Sequence, residues 1–114
     1  MTLIYKLLDR PAWAKAEAKG SYIGSEVDLA DGYIHLSAGL QVQETARLHF
    51  RGERELVLLA VDAGAVAAAL RWEPSRGGTL FPHLYGPLPT AAVRWARDIA
   101  LDSEGVPVIG PLAT

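Results

Sequence analysis

Cysteine is absent from this chain of 114 residues, and its absence excludes several kinds of chemistry. Neither disulfides nor thiolate metal ligands can support the fold, and no cysteine nucleophile is available. A basic excess is also lacking, because 11 Lys and Arg residues stand against 13 Asp and Glu residues, for a net charge of −2. Proteins dedicated to nucleic acids or anionic membranes normally carry a basic surplus. We therefore expect neither kind of partner.

Long apolar segments are missing as well. The longest apolar runs, residues 56–61 and 63–70, are far shorter than the roughly 20 residues that a membrane-spanning helix needs. The first residues form a strand-like run rather than a basic region followed by an apolar stretch, so no signal peptide is predicted. Together these features predict a cytoplasmic protein.

The composition is that of one folded domain. Half of the residues are apolar and 21% are charged, which is enough for one hydrophobic core in a chain of this length. Neither an internal repeat nor a linker is visible, so we assign residues 1–114 to a single domain. Residues 103–114 include two prolines and two glycines and are predicted to form a surface tail.

Strand signals dominate the chain. Residues 55–61 are the most hydrophobic segment and show no alternation, which predicts a central strand covered on both faces. Residues 79–86 are predicted to form an edge or bulged strand, because Pro82 has no backbone donor. Residues 91–101 fit both helical and strand spacing, and we assign them to a strand. The remaining predicted strands are short and cover residues 3–7, 33–36 and 71–73.

Three helical segments are predicted from their N-caps, which are Asp9, Ser37 and Asp62. They are expected to end at Gly20, about Phe50 and Leu70. Residues 21–28 are interpreted as a connection, with a short strand near Tyr22 and Ile23 as an option. Since no glycine-rich phosphate loop follows a strand, a doubly wound nucleotide fold is disfavoured. The predicted class is α+β, a small single domain with a curved, split mixed or antiparallel sheet and two or three short helices.

Alternation along the short strands places polar side chains on shared faces, with apolar side chains on the opposite faces. The polar faces carry Tyr33, His35 and Ser37 on one strand, Arg71 and Glu73 on the next, and Phe81, His83 and Tyr85 on the last. If these faces converge, they form a pocket with a cation, a carboxylate, two imidazoles and aromatic walls. Such a set is typical of a ligand site.

Most of these residues also have a structural explanation. His35 taken alone is better explained as an interior histidine that donates to a backbone carbonyl. Ser37 fits a helix cap better than a nucleophile, because no histidine and acid are spaced for a recognisable relay. Arg71 and Glu73 also fit an ordinary ion pair on one strand face. His49, in the helical stripe, is taken as structural.

A metal site is an alternative use of the same residues. His35 and His83 with either Glu73 or Asp31 would form a set of two histidines and one carboxylate. No tight ligand spacing such as His-x-x-x-His is present, so no metal is assigned. Asp28 is interpreted as a structural turn residue.

Two blocks of this sequence resemble a known bacterial family. The first block is residues 31–37, DGYIHLS, and the second joins residues 71–73, RWE, to residues 81–86, FPHLYG. An Ile-Tyr-Lys opening at residues 4–6, with Gln43 and Thr45 in the following helix, belongs to the same pattern. The chain resembles the domain-of-unknown-function family 952 over nearly its whole length.

That family is similar in fold to the ADP-ribosyltransferase and RNA 2′-phosphotransferase group, whose split, curved sheet holds NAD in its cleft. The resemblance implies NAD as the cofactor or substrate. It also implies that His35 bonds the nicotinamide ribose and that Tyr85 or Tyr33 stacks on the nicotinamide ring. Glu73 would stabilise the positive charge that develops at the ribose carbon.

The leading expectation is therefore an enzyme, or a former enzyme, that binds NAD or another nucleotide and transfers or cleaves at a ribose. The expected catalytic residues are His35, Glu73 and His83; the expected ligand-binding residues are Tyr33, Ser37, Arg71, Arg76 and Tyr85. A second expectation is a non-catalytic module that binds a small anionic metabolite through its arginines and histidines.

Overall fold

Nine strands and three α-helices occur in the computed structural model of the protein, which describes residues 1–112. The strands are β1 (Leu3–Asp9), β2 (Ser21–Tyr22), β3 (Ile34–His35), β4 (Ser37–Ala38), β5 (Leu56–Asp62), β6 (Leu70–Pro74), β7 (Leu80–Leu84), β8 (Leu88–Pro89) and β9 (Val93–Ile99). The helices are α1 (Arg10–Lys19), α2 (Glu26–Asp31) and α3 (Val42–His49). Short 3-10 turns cover Ala63–Ala69, Arg76–Gly78 and Thr90–Ala92.

The largest sheet is built around the most hydrophobic segment of the sequence. Its four antiparallel strands lie in the order β4-β1-β5-β9. Every apolar residue of β5 is buried, and alternate residues enter two different cores: Val57, Leu59 and Val61 on one side, and Leu56, Leu58 and Ala60 on the other. The prediction of a central strand covered on both faces is confirmed.

A second antiparallel sheet, in the order β3-β7-β6, carries the polar faces of the short strands. Its apolar face buries Ile34, Leu36 and Leu84 in the core that β5 shares with α1. Its register places His35 opposite His83, and His83 opposite Arg71. Strands β2 and β8 form a small third sheet.

The position of β7 corrects one prediction, because this strand is central in its sheet rather than at an edge. Its carbonyl at Pro82 accepts a hydrogen bond of 3.1 Å from the backbone N–H of Leu36. In an antiparallel strand, the nitrogen and oxygen of one residue face the same neighbour. The missing donor of Pro82 therefore faces Leu36, just beyond the end of β3, where the pair keeps one bond of two, and the pairing of β7 with β6 is unaffected.

Helix caps explain α1, which the sequence predicted, and α2, which it did not. Asp9 caps α1 as predicted, since its Oδ1 accepts from the N–H of Ala12 at 2.7 Å. Residues 21–28 are not only a connection, because Ser25 and Asp28 form a reciprocal capping box that begins α2. Gly32, in the left-handed conformation with φ of 88°, ends this helix.

Ser37 does not cap α3, which corrects another prediction. It lies in β4, where it pairs with Tyr5 of β1. The cap position of α3 is Gln41, whose side chain makes no capping bond to the helix and instead accepts from the N–H of Ala38. The β4 strand thus takes the residue that the sequence pattern assigned to the helix start.

The predicted surface tail, residues 103–114, packs partly into the core. Pro107 and Ile109 are buried, and Ile109 lies in the same core as Tyr5 and Leu58. The side-chain amide of Gln43 fixes this segment, because it donates to the carbonyl of Pro107 at 2.8 Å and accepts from the N–H of Ile109 at 3.0 Å. Residues 113–114 of the predicted tail lie outside the described residues.

These elements form one small, compact α+β domain with antiparallel sheets and a few helices. The radius of gyration of the Cα atoms is 13.1 Å, which is typical of a single domain of about 100 residues. None of the helices within residues 1–112 has the length and apolar character needed to cross a membrane.

Candidate functional site

The polar faces of the three short strands converge on one side of the β3-β7-β6 sheet. The ring of Tyr33 stacks on that of His83, with the centroids 4.0 Å apart and the planes 25° from parallel. The ring of Tyr85 lies 5.2 Å from Tyr33, and the ring of His35 lies 5.7 Å from that of His83. Strand alternation thus correctly indicated that these side chains would share a face.

Glu73 joins His83 and Tyr85 through a single carboxylate oxygen. Its Oε1 accepts from the Tyr85 hydroxyl at 2.6 Å and contacts Nδ1 of His83 at 2.8 Å. Hydrogen bonds from the Tyr85 hydroxyl and from His83 lower the pKa of Glu73, so this group stays ionised. Because a carboxylate only accepts, Nδ1 of His83 carries a proton.

His35 lies between two other carboxylates. Its Nδ1 contacts Oδ1 of Asp28 at 2.6 Å, and its Nε2 contacts Oδ2 of Asp31 at 2.9 Å. Asp28 is buried and forms an ion pair of 2.9 Å with Lys6, which is also buried. The ring of His35 therefore bonds to the Asp28 carboxylate and pairs with that of Asp31, rather than bonding to a backbone carbonyl.

Burial and charge act in opposite directions on the buried pair. Burial lowers the pKa of Lys6, and the adjacent Asp28 carboxylate partly reverses this effect. Burial by itself would raise the pKa of Asp28, but the Lys6 ammonium and the hydrogen bonds from Ser25 and His35 outweigh burial and lower it. Asp28 is consequently a fixed, buried anion next to His35.

A cleft of about 720 Å³ opens beside His35 and His83, and His49, which the sequence pattern assigned a structural place, lines it as well. It lies between β1 of the large sheet, helices α2 and α3, and the β3-β7-β6 sheet. Apolar side chains form much of its wall, including Tyr22, Leu36, Val42, Phe50, Leu56 and Phe81. Its volume falls within the range of small-molecule sites.

One cation and two hydroxyl groups lie together in this cleft. The guanidinium of Arg76 is 4.8 Å from the centre of the Phe81 ring, and its Nη2 is 3.5 Å from Oγ1 of Thr45. The hydroxyl of Ser37 is 3.0 Å from that of Thr45. Within residues 1–112, Arg76 forms no ion pair. An unpaired guanidinium beside hydroxyl groups is suited to binding an anion.

The predicted site residues fall into two groups. Those that line the cleft are His35, Ser37, Arg76 and His83. Those that lie beside it, outside its lining, are Tyr33, Arg71, Glu73 and Tyr85. Arg71 lies over the ring of Tyr85 at 5.8 Å, while Glu73 uses one oxygen to bind His83 and Tyr85. Glu73 is thus placed to act through His83.

Sequence reasoning missed two residues of the site. Lys6 appeared only as part of the family pattern, although a lysine inside an apolar strand signals a buried cation that needs a partner. Asp28 was interpreted as a turn residue, whereas its position three residues after Ser25 is typical of a capping box. A lysine within an apolar strand and an aspartate in a capping box are thus the sequence signals that could have pointed to this buried charge pair.

The metal alternative finds no geometric support. Among the side chains of residues 1–112, no three of the His, Asp and Glu groups are arranged to hold a metal ion. The two histidines instead use their Nδ1 atoms to bind Asp28 and Glu73.

Comparison with known proteins identifies a family and a solved relative. A family described as "Protein of unknown function (DUF952)" matches residues 7–96. The X-ray structure of protein CC0527 from Caulobacter crescentus is similar to this chain, with 57% identity, 96% of both chains covered and a TM-score of 0.93. The solution NMR structure of CC0527 covers 96% of this chain and 95% of that one, with 57% identity and a TM-score of 0.86. Among curated proteins no match is found. The chain therefore belongs to the DUF952 family, as its two sequence blocks predicted.

Proposed function

We propose that the cleft binds a nucleotide of the NAD or ADP-ribose kind, and that the domain is an enzyme, or a former enzyme, acting at the ribose. One observation carries the proposal: the strand register sets His35 directly opposite His83 at a cleft that also contains the unpaired Arg76. Imidazoles at one place and a guanidinium at another suit a ligand with both a reactive ribose and phosphates.

The phosphate end of the ligand is assigned to Arg76. A guanidinium binds phosphate oxygens with two parallel hydrogen bonds, and hydroxyl groups such as those of Ser37 and Thr45 add further donors. Since Arg76 makes only a weak contact to Thr45 and a cation–π contact to Phe81, its donors are available to a ligand.

The ribose end is assigned to the two histidines. Nε2 of His83 is suited to accept a proton from a ribose hydroxyl or from an attacking water, because Glu73 holds the proton of this ring on Nδ1. Glu73 is then a positioning residue for His83. This role replaces the direct stabilisation of charge at the ribose carbon that the family resemblance implied for Glu73. Tyr85 is 42% exposed and suited to stack on a planar ring.

The arrangement of the sheets supports the same proposal. The cleft lies between a four-stranded and a three-stranded antiparallel sheet, and a split sheet of this kind holds NAD in the ADP-ribosyltransferase and RNA 2′-phosphotransferase group. We infer that the domain shares this type of fold.

Calorimetric titration with ADP-ribose and with NAD tests the binding. We expect binding to the wild type, a roughly tenfold or greater loss of affinity in Arg76→Gln, and no change in Arg94→Gln. Arg94 is a matched control because it pairs with Asp62, away from the cleft. No heat at millimolar ligand, or equal loss in both variants, would contradict the proposal.

Release of nicotinamide from NAD tests the chemistry. Glu73→Gln keeps the size of the side chain but removes the charge that fixes the proton of His83. We expect this variant to bind NAD normally and to turn over about a hundredfold more slowly. Binding without turnover in the wild type would favour the non-catalytic module instead.

A further inference from the structure

A pair of opposite charges is buried next to His35. Lys6 and Asp28 are both nearly inaccessible to solvent, and their ion pair measures 2.9 Å. Burying two charges costs desolvation free energy, and apolar residues of the same volume often stabilise a fold equally well. The pair therefore suggests a role beyond stability.

Three of the four polar groups of His35 are bound by this pair. The backbone N–H of His35 donates to Oδ1 of Asp28 at 3.1 Å, and Nδ1 of its ring contacts the same oxygen at 2.6 Å. The carbonyl of His35 accepts from Nζ of Lys6 at 2.9 Å. The pair consequently fixes both the backbone and the ring of His35 from the buried side.

The fourth polar group, Nε2, has a different kind of partner. It lies 2.9 Å from the carboxylate of Asp31, and the side chain of Asp31 is 46% exposed, compared with 2% for Asp28. A lone pair on Nε2 would face the Asp31 carboxylate at 2.9 Å and be repelled by it, whereas a proton on Nε2 turns this contact into an ion pair. The hydrogen bond to Asp28 lies on the buried side, whereas the ion pair with Asp31 is open to solvent and free to exchange.

We propose that Lys6 and Asp28 are positioning residues that orient His35 and keep a proton on its Nδ1, that Asp31 keeps the second proton on Nε2 so that the ring is an imidazolium, and that an acceptor oxygen of the nucleotide displaces Asp31. The ligand in this inference rests on the proposed function, whereas the state of His35 does not. His35 is then a fixed hydrogen-bond donor, and His83 is left as the acceptor of protons.

Side-chain nitrogen NMR of the ligand-free protein near neutral pH tests the state of His35. We expect both of its ring nitrogens to be protonated in the wild type, with the exposed His49 as an internal reference. In Asp31→Asn the amide can donate to Nε2, so we expect the neutral ring with its proton on Nδ1. A wild-type His35 with one protonated nitrogen, or an unchanged ring in Asp31→Asn, would overturn the proposal.

Addition of ADP-ribose tests the exchange. We expect the Nε2–H resonance of His35 to move while Nδ1–H stays in place, and Asp28→Asn to weaken binding roughly tenfold. Movement of Nδ1–H instead would refute the exchange.

If Asp28→Asn fails to fold, the spectra of the wild type and of the exposed-site variant Asp31→Asn still test the protonation of His35. Absence of binding to the wild type would refute the proposed function, whereas the ligand-free spectra test the positioning role separately.

Discussion

The buried pair of Lys6 and Asp28 determines much of the behaviour of this site at the scale of single residues. Asp28 accepts from Lys6, from the N–H of Ser25, and from both the N–H and the ring of His35. One carboxylate thus joins β1, α2 and β3. Removing its cation would leave this carboxylate buried with no opposite charge beside it.

Lys6→Met is predicted to lower the free energy of unfolding by about 3–5 kcal/mol, since it leaves the buried Asp28 carboxylate unpaired. Combining it with Asp28→Asn, which removes the charge, should recover part of that loss. Urea denaturation measures both effects. The exposed pair of Arg94 and Asp62 is the control, and Arg94→Met should cost at most about 1 kcal/mol. Equal effects of Lys6→Met and Arg94→Met would contradict this account.

Acid is predicted to destabilise the protein through the same carboxylate. The pKa of Asp28 is lowered in the folded state, so Asp28 contributes stability above its unfolded-state pKa of about 3.9, and this contribution is lost as the pH falls through the folded value. Unfolding free energies measured at neutral pH and at about pH 3 should therefore differ less in Asp28→Asn than in the wild type. An identical pH dependence of the two proteins would show that Asp28 does not carry this effect.

At the scale of elements, the sequence pattern correctly predicted those strands and helices whose local preferences agree with their tertiary contacts. The unbroken apolar run of β5 and the cap at Asp9 were sufficient, because both act over a few residues. Ser37 was misassigned because a serine before a helical pattern is typical of a cap, whereas pairing with Tyr5 places it in β4. That pairing joins residues far apart in sequence and leaves no local mark.

The C-terminal segment was misassigned for a similar reason. Prolines and a glycine indicate irregular structure, but they do not reveal burial, which depends on the side chain of Gln43 in α3. Ile109→Ala is predicted to lower the free energy of unfolding by about 2–4 kcal/mol, because Ile109 is 4% exposed. Val108→Ala, at an exposed position, should change it by less than about 0.5 kcal/mol. Similar costs for the two variants, measured by urea unfolding, would place this segment on the surface.

At the scale of the whole molecule, the site exists because two sheets face one cleft. Strand alternation was sufficient to assign His35, Glu73, His83 and Tyr85 to polar faces, since it depends only on the period of a strand. It could not show that the cleft is lined by both sheets, or that Glu73 lies behind His83. Those facts depend on the order β3-β7-β6 and on its packing against α2 and α3.

A second groove offers a direct comparison within the same molecule. It measures about 350 Å³ and lies between α1 and β9, lined by Trp13, Glu17, Thr90, Val93, Trp95 and Ala96. It contains aromatic rings and a carboxylate but neither a histidine nor an arginine. Because phosphates require cationic or strong donor groups, we expect a nucleotide to avoid this groove.

Mapping of amide chemical shifts during titration with ADP-ribose tests the central claim most directly. The account predicts that the perturbed amides cluster at Ser37, Thr45, Arg76 and His83, around the cleft that both histidines line. Amides near Trp13 and Trp95 should remain unchanged. No perturbation at millimolar ligand, or perturbations centred on the groove of Trp13 and Trp95, would contradict the assignment of this cleft as a nucleotide site.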